Sequence, residues 1–213
     1  MAAEPGPQLR WAKKRRDRLK QMARQRADWM LVDQDECWFS RFRQPQTHAF
    51  SAEGAALRLV QREPAHGETG KALACYGARC DESDERFFNF VEGQPNSEKS
   101  VAFLQRLRAI AEQRGKRVLV VIWDRASWHI SKRVQEWVRQ SNQAVKAAGK
   151  GVRLLTFLLP TKSPWLNPME PIWRHAKRQV AEPDGDLTVN ELQARLCTYF
   201  ETSLEEAVLK VSA

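Results

Sequence analysis

Six consecutive apolar residues, Val118 to Trp123 (VLVVIW), end on a carboxylate, Asp124. A run of that kind suits a β-strand covered on both faces, which occurs where helices pack on either side of a sheet. A second run, Val152 to Leu159 (VRLLTFLL), stops at Pro160 and predicts another buried strand. Between them, Ser131 to Ala148 carries Val134, Trp137, Val138 and Val145 at helical spacing and stops at Gly149. Strand, helix, strand is a crossover unit with parallel strands.

The residues upstream read differently. Trp29 to Ser40 (WMLVDQDECWFS) predicts a first strand. His48 to Glu53 and Leu57 to Gln61 predict short strands, followed by a polar loop from Glu63 to Gly70. Ala72 to Arg79 and Arg86 to Val91 predict a hairpin across the acidic turn Asp81 to Glu85. Ser97 to Arg114 predicts a helix, as do about Pro168 to Val180 and, as a last amphipathic region, Leu187 to Lys210. An antiparallel meander followed by crossovers gives an α/β fold, a mixed sheet with helices on its faces. The ribonuclease-H-like fold is one such arrangement.

No apolar run reaches the roughly 20 residues of a membrane span. Met1 to Gln8 lacks the apolar core of a secretory signal, so the expected setting is the bacterial cytoplasm, in association with the nucleoid. Cys37, Cys75, Cys80 and Cys197 form no CxxC pair and are expected to be reduced thiols. The net charge of +9 is concentrated: Arg10 to Arg26 holds nine basic residues against one acid, Asp17. This predicts a basic arm over residues 1–28, with Lys13, Lys14, Arg15 and Arg16 as candidates for DNA phosphates, ahead of a domain over 29–213. The arm has little apolar stripe and is expected to pack poorly by itself. A solvated helical leader is the alternative.

Three acids stand out. Asp124 follows a buried strand, where open α/β sheets place their ligand sites; a turn aspartate is the alternative. Asp35 lies inside the first strand on the face of Asp33, with Glu36 on the other; an exposed strand face would also accommodate it. Glu170 follows Asn167 and Pro168 at a helix head, where a capping box would explain it equally. Strand, strand end and helix head are positions from which three carboxylates can hold Mg²⁺ with its waters and a substrate phosphate. Two such ions about 4 Å apart activate an attacking oxygen and stabilise a leaving one.

Leu31 to Phe42 (LVDQDECWFSRF), Val118 to His129 (VLVVIWDRASWH) and Leu158 to Trp173 (LLPTKSPWLNPMEPIW) together resemble the DDE superfamily of transposases, in the insertion-sequence branch related to mariner elements. The resemblance spans about Trp29 to Val180. It implies a ribonuclease-H-like catalytic domain whose acidic triad is Asp35, Asp124 and Glu170, holding two Mg²⁺ or Mn²⁺ ions. It matches Glu36 to the acid after the first Asp and His129 to a histidine that shapes the site, as Asn167 also does. Lys162 and Trp165 become further candidates for DNA contact.

Arg125 departs from the family, whose members often carry Asn there. The roughly 28 residues before the first strand leave no room for the helix-turn-helix region usual in the family. A fragment, one half of a split reading frame with a separately encoded DNA-binding half, or a decayed copy is expected. The implied activity is DNA strand cleavage followed by strand transfer, on transposon ends and target DNA, by a homodimer or synaptic complex. The competing reading is a catalytically silent DNA-binding remnant.

Overall fold

The computed structural model describes residues 7–42, 72–161, 163–180 and 187–203. The strands expected over His48 to Glu53 and Leu57 to Gln61, the loop to Gly70 and Lys162 lie outside them. The elements follow in the order α1 (Pro7–Arg24), β1 (Trp29–Ser40), β2 (Ala72–Cys80), β3 (Arg86–Glu92), α2 (Ser97–Gln113), β4 (Val118–Trp123), α3 (Lys132–Ala148), β5 (Arg153–Leu158), α4 (Met169–Val180) and α5 (Val189–Phe200).

The strands form one sheet in the order β3-β2-β1-β4-β5. The hairpin β2–β3 and the pair β1–β2 are antiparallel, while β1–β4 and β4–β5 are parallel. This is the mixed sheet that the sequence predicts. Alternation along β1 assigns its faces. Met30 and Val32 join Leu119, Val121 and Trp123 of β4 beneath Phe103, Leu104, Leu107 and Val134 of α2 and α3. On the other face, Cys37 and Phe39 pack with Met169, Trp173, Leu192 and Leu196 of α4 and α5, and Leu31, Val120 and Ile122 pack with Ala23 and Leu19 of α1.

Two elements differ from expectation. β5 is the last strand of the described sheet and is less buried than β4: Leu154 is buried, whereas Arg153 and Thr156 face solvent. Its apolar run is nonetheless covered in part on both faces, Leu154 and Leu158 towards α2 and α3 and Leu155 and Phe157 towards α1. The basic segment is a docked helix rather than a poorly packed arm. Lys20 Nζ reaches Asp33 Oδ2 at 2.5 Å and Asp81 Oδ1 at 3.2 Å, Arg24 Nε donates to Asp81 Oδ2 at 2.8 Å, and Arg16 Nη1 donates to the Leu166 carbonyl at 2.6 Å. Three of the nine basic residues therefore hold α1 against the domain. No helix among the described residues is long and apolar enough to cross a membrane. The four cysteines are free thiols, three of them buried.

Candidate active site

The carboxyl ends of β4 and β5, the middle of β1 and the head of α4 meet around a cavity of about 270 Å³. Asp35, Asp124 and Glu170 all line it, with Arg125, Pro160, Thr161, Ser163 and Asn167. The parity of β1 puts Asp33 and Asp35 on one face, as the sequence predicts, and that face is the one covered by α1 and α4. Asp33 meets Lys20, and Asp35 Oδ2 accepts from Trp173 Nε1 at 3.1 Å. Burial, then the charges of Glu36, Glu170 and Asp124, push the Asp35 carboxyl up to a pKa of about 8.

Trp173 can lie close to β2 because the strand carries Gly77 beside Asp35 in the antiparallel register. A methyl group there would overlap the Trp173 ring and the Met169 side chain. The bond from Trp173 is not legible in the sequence, although Gly77 is. A glycine inside an apolar strand is the signal that a close approach leaves.

On the opposite face His129 is buried and stacks on Trp123, with ring centroids 4.4 Å apart. Its Nδ1 lies 2.8 Å from Asp124 Oδ1 and its Nε2 lies 2.9 Å from Glu36 Oε1. Burial lowers the imidazole pKa, but Glu36 and the hydrogen bond to Asp124 outweigh it and carry it up to about 9. At neutral pH the ring is thus an imidazolium that donates to both carboxylates. Asp124 also accepts from the Ala126 N–H at 2.9 Å. Burial works to raise its pKa, yet the bonds from His129 and Ala126 hold it below the usual carboxylate range. With both nitrogens occupied, His129 orients acids rather than offering a ligand atom.

Asn167 ties the head of α4 to β1: its Nδ2 donates to the Gln34 carbonyl at 3.2 Å, and its Oδ1 accepts from Met169 N–H at 3.1 Å. The capping box that is the alternative for Glu170 is not closed, because the Asn167 N–H donates to the Pro164 carbonyl at 2.8 Å. Glu170 instead lines the cavity. Among the described residues, no three acidic, histidine or cysteine side chains stand close enough to hold a metal ion by themselves. The acids share a cavity without closing on one point.

Arg125 stands at the edge of this cavity and also lines a groove of about 1020 Å³ with Arg15 and the exposed Trp11. On the other side of α1, Lys13, Lys14 and Arg16 share a groove of about 1030 Å³ with Trp165, which is 65% exposed.

Residues 30–187 match the family described as DDE superfamily endonuclease. The chain belongs to that family. The DDE domain also superposes on solved structures. One is the catalytic domain of Mos1 mariner transposase, with a TM-score of 0.55 and 16% identity over 97% of this chain and 87% of that one. A second is the Mos1 transposase paired-end complex with left transposon end, with a TM-score of 0.58 and 14% identity over 95% of this chain. A third, with a TM-score of 0.56 and 16% identity over 94% of this chain, is the Mos1 mariner paired end complex with Mn. The DDE domain spans 57% of the transposase chain in each of these two complexes. At such identities the likeness establishes the fold, which is ribonuclease-H-like. No curated protein sequence matches the chain.

Proposed function

We propose that this DDE domain cuts and rejoins DNA as the catalytic part of a transposase, by divalent-metal-dependent phosphoryl transfer at Asp35, Asp124 and Glu170. The observation that carries this reading is their shared cavity at the carboxyl ends of the parallel strands. The donor set fits a hard cation. Mg²⁺ keeps several waters and takes only one or two protein carboxylates beside substrate phosphates, so an open arrangement of acids suits it. Asp35, held from ionising by burial and then by its acidic neighbours, gains most from a cation. Two bound Mg²⁺ or Mn²⁺ ions would activate the attacking oxygen and stabilise the leaving one.

The residues of the chain do the positioning. Trp173 fixes the Asp35 carboxyl from one face, and His129, anchored on Glu36, fixes Asp124 from the other. Asn167 sets the head of α4, and so Glu170, against β1. Arg125 stands where a scissile phosphate would enter. Lys13, Lys14 and Arg15 on α1, with Trp165 beside it, are contacts for the DNA backbone, whereas Arg16 is taken up by the Leu166 carbonyl and Asp17. The substrates on this reading are transposon ends and target DNA, held between two copies of the domain.

Asp124→Asn keeps the shape of the side chain and removes its charge. It is expected to lower Mg²⁺-dependent nicking of duplex DNA by more than about a hundredfold, since loss of a mere supporting group already costs about 10- to 100-fold. Circular dichroism should be unchanged. EDTA-sensitive nicking by the variant at the wild-type rate would overturn the assignment.

A further inference from the structure

The parallel strands begin at the end of the sheet opposite the acidic cavity. Arg117 precedes β4 and Arg153 opens β5. The Arg153 N–H donates to the Arg117 carbonyl at 2.9 Å, and the Arg117 N–H donates to the Asp28 carbonyl at 2.7 Å. These starts are thus pinned side by side. Arg26, its guanidinium 5.0 Å from the centre of the Trp29 ring, stands just before β1. Arg139 and Lys146 approach from α3, and Lys150 sits in the turn between Gly149 and Gly151, both at positive φ.

All six cations are exposed, and with Asp28 they line one groove of about 870 Å³. Among the described residues only Arg139 of the six is in an ion pair, with Glu136 at 2.5 Å, and both partners are exposed. Like charges gathered this way repel, and a polyanion relieves the repulsion.

We propose that this groove is a second DNA-binding surface, which holds duplex DNA by its phosphates and is separate from the acidic cavity. Asp124 lies seven residues along the chain from Arg117, roughly 23 Å at about 3.3 Å per residue. A duplex seated here therefore approaches the domain from the other end of the sheet. Duplex DNA presents one charge per about 1.7 Å of axis, a density that a groove of six cations complements. Such contacts hold DNA without reading its sequence. The choice of DNA as the polyanion rests on the transposase reading, whereas the basic groove does not. A domain with an acidic end that cuts one duplex and a basic end that grips another can hold two segments at once.

The test uses the full chain on an immobilised random duplex, with a labelled second duplex in solution. Wild type is expected to retain the second duplex. Arg117→Ala/Lys150→Ala/Arg153→Ala should still bind the first duplex and nick it with Mg²⁺, but retain the second at least about tenfold less. The slope of log affinity against log salt should shrink by about 0.9 per lost contact, near 2.7 for the triple variant and 0.9 for Lys150→Ala alone. Equal retention and equal slopes, no second duplex held by wild type, or preference for a polyglutamate peptide over DNA would each overturn the proposal. Failure of wild type to nick would count against the catalytic reading and leave the retention result standing.

Discussion

The acids of this domain are oriented by residues that do not themselves line the cavity. Asp35 is oriented by one hydrogen bond from Trp173, and that bond exists because Gly77 leaves room for the indole beside β2. Gly77→Ala is expected to push the ring away from Asp35. It should cost about 1–3 kcal/mol by overpacking and about 10- to 100-fold in nicking rate, the usual effect of losing a group that orients a metal-binding carboxylate. Trp173→Phe keeps the bulk and removes only the donor, so its nicking rate should fall similarly with little change in stability. Combining the two should lower the rate no further than the worse single change, since both break one bond. Single-turnover nicking at saturating Mg²⁺, with urea unfolding alongside, measures this. Wild-type rates in Trp173→Phe would show that the indole only fills space.

The helices and strands were readable from the chain to the extent that local periodicity makes them. The run Val118–Trp123 and the rhythm of Ser97–Gln113 translate directly into β4 and α2 because each buries its own apolar residues. The acids Asp35, Asp124 and Glu170 were visible through their places on strand, strand end and helix head. The linkage of His129 to Glu36, across 93 residues, was not, since nothing local marks it. Helix α1 is the clearest case: a largely polar segment reads as a solvated arm until Lys20 meets Asp33 and Asp81, the latter 61 residues away. Lys20→Ala would leave the Asp33 carboxylate buried without its cation. That change is expected to cost about 3 kcal/mol at pH 7. The cost should be smaller at pH 5: burial already raises the pKa of Asp33 above the usual range, and losing Lys20 raises it further, so the acid can take up a proton instead. Replacing the pair together, Lys20→Met with Asp33→Leu, should recover most of the loss. Urea unfolding at both pH values decides it, and a loss below 1 kcal/mol for Lys20→Ala at pH 7 would show that apolar contacts alone dock the helix. Truncating the basic segment would confound DNA binding with this docking, so its role on DNA is better tested at Lys13 and Lys14.

Across the whole domain, the cluster at the carboxyl end of the sheet makes stability depend on pH in a defined direction. Asp35 has its pKa raised from 3.8 to about 8, and His129 from 6.5 to about 9. Each therefore holds a proton in the folded chain that the unfolded chain has already released. For Asp35 that contribution is complete below pH 3.8 and is lost as the pH rises towards and through 8, at up to about 1.4 kcal/mol per pH unit. For His129 the loss begins near pH 6.5 and runs through 9 in the same direction. The metal-free domain should thus weaken between pH 6 and pH 9. A divalent cation competes with the proton at Asp35, so the stabilisation it brings grows as that proton becomes easier to remove. Mg²⁺ at a saturating concentration is expected to raise Tm by several degrees more at pH 8.5 than at pH 6. Asp35→Asn should remove the Asp35 part of the alkaline decline, leaving that of His129, and should remove most of the gain, because the amide neither titrates nor binds the cation strongly. Calorimetric melting at the two pH values, with Ca²⁺ as a second hard cation, reads this without any catalytic step. An equal rise in Tm at both pH values, or an undiminished rise in Asp35→Asn, would place the cation elsewhere than at this carboxylate.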